Sequence, residues 1–459
     1  MSKMLEKILA FADEYEMLPE SGLVLVCVSG GADSMCLLEA MLHVSYERGF
    51  SVAVVHYNHG LRGAESDRDE FFVREYCEAC GVPFYTGDGD VRGFAGDNGL
   101  SIEAAAREMR YRFFYETAEL IGAERIATAH TADDNTETII MNLTRGAGTN
   151  GLSGIPPVRG AVIRPLLRVS RDEVMGFIDG RGIPFVEDST NSLDIYTRNK
   201  IRHCVIPVLK EINPGIVDAA GTAAELLYAD EDFIADIADL FIQDCCAGLT
   251  ADAGDLLRLP FAVSSRVIRK LYGGSLSLKH VKAVLRLCGS DSPSASLSLP
   301  GMEVCREYDR IVFNPGQAPS ADGFAQVFPS DGDSFIILGA GLKMSCMSIV
   351  CSDKIGENGG QVTEINKTFT SFLFKSVDIC GKIAVRPRRE GDFIRLPGQA
   401  GTKSLKKLFI ERHIPARKRA FIPVIADDEG VLAVYGAGRG TRAEPAPGDI
   451  AMMIGFEEI

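Results

Sequence analysis

Leu23-Val24-Leu25-Val26-Cys27-Val28-Ser29-Gly30-Gly31-Ala32-Asp33-Ser34 joins an unbroken apolar run to a pair of glycines. Six apolar residues in a row, without alternation, predict a strand buried on both faces of a parallel sheet. Met35 to Leu42 then resumes at helical spacing, so the two glycines fall in a strand-to-helix turn. Gly30 and Gly31 admit positive φ and let backbone N–H groups approach an anion without interference from a Cβ. Ser29 and Ser34 add hydroxyl donors, and the helix expected to begin near Ser34 points its partly positive N-terminus at the same spot. The turn reads as a phosphate cradle. It lacks the Lys that follows the last glycine of a Walker loop and is too compact for a dinucleotide fingerprint. Asp33 is the unexpected member. A carboxylate beside a phosphate repels it unless a divalent cation lies between, so Asp33 implies Mg²⁺ held jointly by protein and phosphate oxygens.

Working outward, short apolar runs alternate with helical patterns from Leu23 to about Pro207, with strands expected at Leu23–Val28, Ser51–His56, Val82–Tyr85, Arg125–His130 and Ile183–Val186. This alternation predicts an α/β domain, a parallel sheet with helices on both faces, over residues 1–213. Ligands of such sheets bind at the carboxyl ends of the strands, where the glycine turn lies. Residues 214–316 read as an α-rich domain that turns strand-like from Ser296 to Phe313. Residues 317–378 read as a linker or loosely patterned β region, and residues 379–459 as a small, basic α+β domain around a helix at Ser404–Arg412.

With 459 residues, 46% hydrophobic and 24% charged, the chain has the composition of a soluble protein of several domains. No apolar stretch reaches the roughly 20 residues that span a bilayer. Met1 to Glu20 reads as an amphipathic helix and not a signal peptide, so the expected location is the cytoplasm, with no membrane partner. The 12 cysteines are scattered, and Cys27, Cys36 and Cys204 sit among apolar neighbours, which suits reduced core thiols. Cys77 and Cys80 form a single CxxC in a segment that reads as helix from Phe71 to Cys80. The net charge of −15 excludes indiscriminate nucleic-acid binding over the whole surface. From Lys382 to Arg419, however, the sign reverses, with Arg389, Lys403, Lys406 and Lys407 among twelve cations. That segment is a candidate phosphate-backbone footprint, or a solvated charged face.

Three further clusters carry chemistry. The second strand ends in His56-Tyr57-Asn58-His59-Gly60-Leu61-Arg62, where His59 and Arg62 can reach a nucleotide and His56 reads as a core residue. The helix from Ser101 to Tyr111 places Glu103, Arg107, Arg110 and Tyr111 near one another. Glu103 with Arg107 is a structural i,i+4 pair or part of a positive face that binds substrate. The fourth strand runs into His130-Thr131-Ala132-Asp133-Asp134-Asn135-Thr136-Glu137. Thr131 with Asp134 fits a capping box, but Asp133, Asp134 and Glu137 together at a strand end repel one another unless they hold Mg²⁺ or an ammonium group. One of them can also deprotonate an amine. Arg198 and Arg202 share a helix face, an arrangement suited to phosphate or transition-state charge.

The string S-G-G-x-D-S after a buried strand resembles the PP-loop of the ATP pyrophosphatases. The wider set resembles tRNA(Ile)-lysidine synthetase. It comprises Ser29–Ser34, His59–Gly63, Ile102–Ala104 with Arg107 and Arg110-Tyr111, His130 with Asp133-Asp134 and Glu137, Arg145-Gly146, Arg164–Leu166, Asp188 with Asn191, Tyr196, Arg198 and Arg202, and the basic terminal segment. Asn58 is a departure, since many relatives carry another His there. The resemblance implies that ATP adenylates the C2 oxygen of the wobble cytidine of an isoleucine tRNA with a CAU anticodon, and that the ε-amine of L-lysine then displaces AMP. Ser29, Gly30, Gly31, Ala32, Asp33, Ser34, His59 and Arg62 would bind ATP, with Asp33 also on Mg²⁺. Asp133 or Asp134 would orient or deprotonate lysine, and Arg107 and Arg198 would stabilise developing charge. Glu103, Arg110, His130, Glu137 and Arg202 would contact substrate, and Arg389, Lys403, Lys406 and Lys407 the tRNA. A homodimer is the assembly considered. Two other readings are a PP-loop tRNA thiolase that uses Cys77 and Cys80, and a non-catalytic, ATP-responsive RNA-binding protein.

Overall fold

The computed structural model describes residues 2–61, 63–187, 197–313, 324–337, 341–351, 369–399 and 401–458. The chain divides into two compact units, Met1–Phe233 and Ile234–Ile459.

The first unit contains the strands β1 Leu23–Cys27, β2 Ser51–Asn58, β3 Phe84–Asp88, β4 Arg125–Ala127, β5 Val158–Arg159 and β6 Val162–Ile163. They form one sheet in the order β3-β2-β1-β4-β6-β5, parallel except for the terminal β5. Its helices are α1 Lys3–Glu14, α2 Ala32–Arg48, α3 Ala64–Cys80, α4 Val91–Asn98, α5 Ile102–Ile121, α6 Ala132–Thr144, α7 Thr149–Leu152, α8 Arg171–Arg181, α9 Thr197–Lys200, α10 Ile206–Ile212 and α11 Ile216–Cys245, which ends in the second unit. Successive side chains of a strand face opposite sides. Val24 and Val26 therefore pack with α1, α2 and α8, while Leu25 packs with α4 and α5 on the other face. This is why β1 reads as an unbroken apolar run. The chain leaves β1 with β2 on one side and β4 on the other, so the glycine turn sits where the strand order reverses.

The expected strand at Ile183–Val186 is not one. Pro184 has no N–H for a ladder, and the segment instead buries Ile183 and docks through Val186, whose N–H donates to the Gly30 carbonyl at 2.9 Å. The hairpin β5–β6 completes the sheet instead. Helix α2 starts at Ala32, two residues before expectation, and α3 at Ala64.

The second unit begins with the helices α12 Ala253–Arg258, α13 Phe261–Tyr272 and α14 Leu278–Cys288. They pack against an antiparallel sheet of β7 Thr250–Asp252, β8 Ser296–Leu299, β9 Met302–Glu307 and β10 Arg310–Phe313. A second sheet contains β11 Ser334–Ile337, β12 Leu342–Val350, β13 Ser371–Lys375 and the last strand, Ile450–Glu458. That last strand pairs with both β12 and β13, so the described strands between 334 and 375 share a sheet with the chain's C-terminal end. A third sheet, with strands at Ala384–Arg386, Val424–Asp427, Gly430–Val434 and Gly438–Arg439, shares its core. The basic helix spans Leu405–Glu411 and buries Leu405, Leu408 and Phe409. Among the described residues no helix is long and apolar enough to cross a membrane. All 12 cysteines are free; Cys27 is half-buried and Cys36 buried, but Cys204 is exposed on a π turn at Ile201–Val205, of which only Ile201 is buried.

Candidate active site

The glycine turn is held open by its own side chains. The Ser34 hydroxyl accepts from the Ser29 N–H at 3.1 Å and donates to the Gly31 carbonyl at 2.8 Å, while the two serine hydroxyls lie 3.2 Å apart. Gly30 has φ +94°, a conformation that costs an L side chain dearly, and it lies against Val73 and Phe72 of α3. Gly31 is the N-cap of α2 and provides no side-chain cap; the Ser34 N–H turns back to the Gly31 carbonyl at 3.0 Å, and the Ala32 and Asp33 amides of this 17-residue helix are left for an external anion.

Asp33 lies in the first turn of α2. Its Oδ2 pairs with Arg171 Nη1 at 2.7 Å, whereas its Oδ1 is buried and has no hydrogen-bond partner. Burial pushes the Asp33 carboxyl above the usual range, and the Arg171 guanidinium opposes the rise. Among the described residues no three His, Cys, Asp or Glu side chains cluster to hold a metal by themselves. An orphaned carboxylate oxygen at a phosphate cradle nonetheless fits Mg²⁺, which takes one or two carboxylates and completes its shell with phosphate and water.

Helix α6 begins with the expected capping box. Thr131 accepts from the Asp134 N–H, and Asp134 Oδ2 accepts from the Thr131 N–H at 3.0 Å. The other Asp134 oxygen takes Arg198 Nη2 at 3.1 Å and Arg202 Nη2 at 3.3 Å. One turn on, Glu137 is 1% exposed and accepts from Arg198 Nε at 2.7 Å and from Arg202 Nε at 2.6 Å. Arg198 on α9 and Arg202 on the π turn that follows it thus meet at this one carboxylate. Burial opposes the Arg202 charge, but Glu137 and Asp134 more than offset it, and its pKa is raised. Asp133 points elsewhere: its Oδ2 accepts from the Arg171 backbone N–H at 2.8 Å, and it lines a cleft of about 190 Å³ with Ser170, Asp172, Lys210 and Asp218. The three carboxylates are thus separated by partners, which relieves the repulsion that their spacing implied.

His130 bonds Thr128 through Nδ1 at 3.1 Å. Burial, helped by the charges of Arg164, Arg198 and Arg107 and opposed by Asp134, lowers it to about 4. Those charges bring α5, the end of β4, the end of β6 and α9 to one place. Arg107 lies over the Tyr111 ring at 4.8 Å, with Arg110 at 5.9 Å. Glu103 and Arg107 are exposed and form no ion pair with each other among the described residues. Arg164 is buried and donates to the Pro156 carbonyl at 2.5 Å. His56 is a buried core residue whose Nδ1 meets the Val28 carbonyl at 2.8 Å, and burial lowers its pKa. His59 follows β2 and stacks edge-on against Tyr57 at 5.1 Å. Asn58 bridges Asp67, Glu70 and the Gly60 N–H, a local role that a histidine would fill differently. Arg62 and the segment holding Asp188, Asn191 and Tyr196 lie outside the described residues.

The basic terminal segment sorts by partner. Arg386 is buried against Asp392 in two 2.8 Å bonds, so it belongs to the core. Lys403 pairs with Glu411 at 2.7 Å, and Arg389 bonds Gln326 at 2.6 Å. Lys406 and Lys407 are exposed and make no ion pair among the described residues. Cys77 is buried in α3, where burial pushes its thiol up to about 12, and Cys80 is exposed. A thiolate nucleophile would need the opposite shift.

Arg171 is a site residue that none of the sequence motifs contains. Its signal is the Ser170–Glu173 capping box that starts α8, together with the absence of a lysine from the glycine turn itself.

Residues 2–209 match the family model of the PP-loop domain, and residues 383–452 match that of the TilS substrate C-terminal domain. The tRNA(Ile)-lysidine synthase of Geobacter sulfurreducens is 33% identical over 98% of this chain and 96% of its own. That of Geobacillus kaustophilus is 33% identical over 93% of both chains, and that of Caldanaerobacter subterraneus 31% identical over 94% and 93%. With this mutual coverage, and with the glycine turn folded at the switch point of a parallel sheet, the chain belongs to the tRNA(Ile)-lysidine synthase family.

Proposed function

We propose that this chain ligates L-lysine to the wobble cytidine of an isoleucine tRNA with a CAU anticodon, using ATP and Mg²⁺. The observation that carries this reading is the meeting, at one end of one sheet, of a phosphate cradle with an orphaned carboxylate oxygen and a pair of arginines on the buried carboxylate of Glu137.

The Ala32 and Asp33 amides at the start of α2, with the Ser29 hydroxyl, would hold the phosphates, while Ser34 shapes the turn through its bonds to Ser29 and Gly31. Asp33 would hold the metal, which when bound offsets negative charge on the departing pyrophosphate. The C2 oxygen of the base attacks the α-phosphate, leaving an adenylated tRNA and pyrophosphate. Arg198 and Arg202, fixed by Glu137, and Arg107 present guanidinium groups to the charge that develops. Lysine then attacks C2 and displaces AMP. Only the neutral amine is a nucleophile, so a carboxylate must take its proton. Asp133 suits this role better than Asp134 or Glu137, since it accepts a backbone N–H while the other two carry guanidinium groups. His130, lowered to about 4, stays neutral near pH 7 and serves as a hydrogen-bonding contact without added charge. The target base lies in a single-stranded loop, so it need not be extracted from a duplex.

The test follows label from the α-phosphate of ATP. Without lysine, the isoleucine tRNA should gain AMP label, and added lysine should discharge it. Absence of labelled tRNA under single-turnover conditions would remove the adenylation step and the proposal with it.

A further inference from the structure

The glycine turn carries no lysine, yet a pyrophosphate site needs a cation beyond its metal, because a bound triphosphate holds several negative charges against one Mg²⁺. Resting on the ATP reading above, the geometry points to Arg171 as that cation, a direct pyrophosphate ligand contributed from α8. Asp33 divides its carboxylate: Oδ2 holds Arg171 Nη1 at 2.7 Å, and the orphaned Oδ1 is left for the metal. Arg171 and Mg²⁺ would thus flank one aspartate in the first turn of α2. Nε and Nη2 of Arg171 make no hydrogen bond among the described residues, and the side chain is 43% exposed, so these donors are available to phosphate oxygens.

The backbone beneath the side chain is anchored at several points. The Arg171 N–H donates to Asp133 Oδ2 at 2.8 Å. Ser170 caps α8 and its N–H donates to Glu173 Oε2 at 2.8 Å, while Glu173 is held by Lys7 of α1 at 2.9 Å. Such anchoring gives the guanidinium a fixed base from which to meet an anion at the N-terminus of α2, although Arg171 lies 138 positions from Asp33 in sequence. It also makes a link between the two halves of the reaction, since the residue that would serve the phosphates caps the carboxylate assigned to lysine.

The test is calorimetric titration of the full chain with inorganic pyrophosphate, with Mg²⁺ or with EDTA, and with AMP as a control lacking the β- and γ-phosphates. Arg171→Ala should weaken pyrophosphate binding about 10- to 100-fold, the loss of one or two charge-assisted hydrogen bonds. The loss should persist in EDTA, and AMP binding should stay within about twofold. Arg171→Lys should recover part of the affinity as a point charge without the fork. Arg171→Gln, of similar length, supports the same comparison should the alanine variant not fold. Unchanged pyrophosphate affinity would overturn the proposal. A loss seen only with Mg²⁺ would also overturn it, since Arg171 would then act by positioning Asp33. If the unaltered chain fails to bind pyrophosphate, the cradle reading itself fails.

Discussion

Replacing Glu137 by Gln tests whether one buried carboxylate organises the arginines. Glu137 is 1% exposed, and its two oxygens accept three hydrogen bonds, from Arg198 Nε at 2.7 Å and from Arg202 Nε and Nη2 at 2.6 and 3.2 Å. The amide keeps the shape but not the charge, and its NH₂ group must face a guanidinium. Removing one partner of a buried pair costs about 3–5 kcal/mol. The Arg198 and Arg202 side chains are 39% and 28% exposed, so water screens both, and about 2–4 kcal/mol is the discounted figure. For a unit spanning residues 1–233, that is a fall of roughly 5 to 15 °C in the melting transition of the first unit. The assay is calorimetry of the full chain, beside single-turnover formation of adenylated tRNA, which should slow by about 100-fold if the arginines lose their fixed geometry. Glu137→Asp, which keeps the charge on a shorter stem, should recover stability more than rate. A transition shifted by less than about 2 °C, with an unchanged rate, would show that Glu137 does not organise the two arginines.

Other outcomes follow from the same geometry. His130 is lowered to about 4 against about 6.5 unfolded, so between those values the unfolded chain binds the extra proton. Stability is therefore full above pH 6.5 and declines as pH falls toward 4, by no more than about 3 kcal/mol; His130→Asn should flatten the fall in Tm between pH 7 and 5, and His56 should preserve part of it. Replacing Arg389, Lys406 and Lys407 together by Ala should weaken tRNA binding and reduce its log–log salt slope by up to about 3, with ATP binding unchanged; an unaltered slope would remove this face from the tRNA site. These point changes are preferable to truncation at residue 379, which would strip the strand Ile450–Glu458 from between β12 and β13. A Cys77→Ser, Cys80→Ser chain should keep lysine transfer within about twofold, because burial holds the Cys77 thiol protonated; loss of transfer in a folded variant would restore the sulfur-transfer reading.

Local chemistry was legible from residues, and long-range pairing was not. The strand, turn and helix around Gly30, the capping box at Thr131 and the core role of His56 each depend on neighbours within a few positions or on plain apolar patterning. Ile183–Val186 deceived by composition, since β-branched residues outweighed a proline that removes a ladder donor. The two-residue strands β5 and β6 are too short to leave a period. The pairing of Glu137 with Arg198 and Arg202 left no local pattern, because those partners lie 61 and 65 positions away. Arg171 was overlooked for the same reason, lying 138 positions from Asp33.

Lysidine formation by this chain is tested most simply by supplying the full chain with labelled lysine, ATP, Mg²⁺ and an unmodified isoleucine tRNA transcript bearing CAU, with a methionine tRNA as control. This activity predicts that label enters the isoleucine tRNA at the wobble position, with AMP and pyrophosphate released in equal amounts and none of this in an Asp33→Asn chain. An isoleucine tRNA that stays unlabelled while the unaltered chain binds ATP would contradict it.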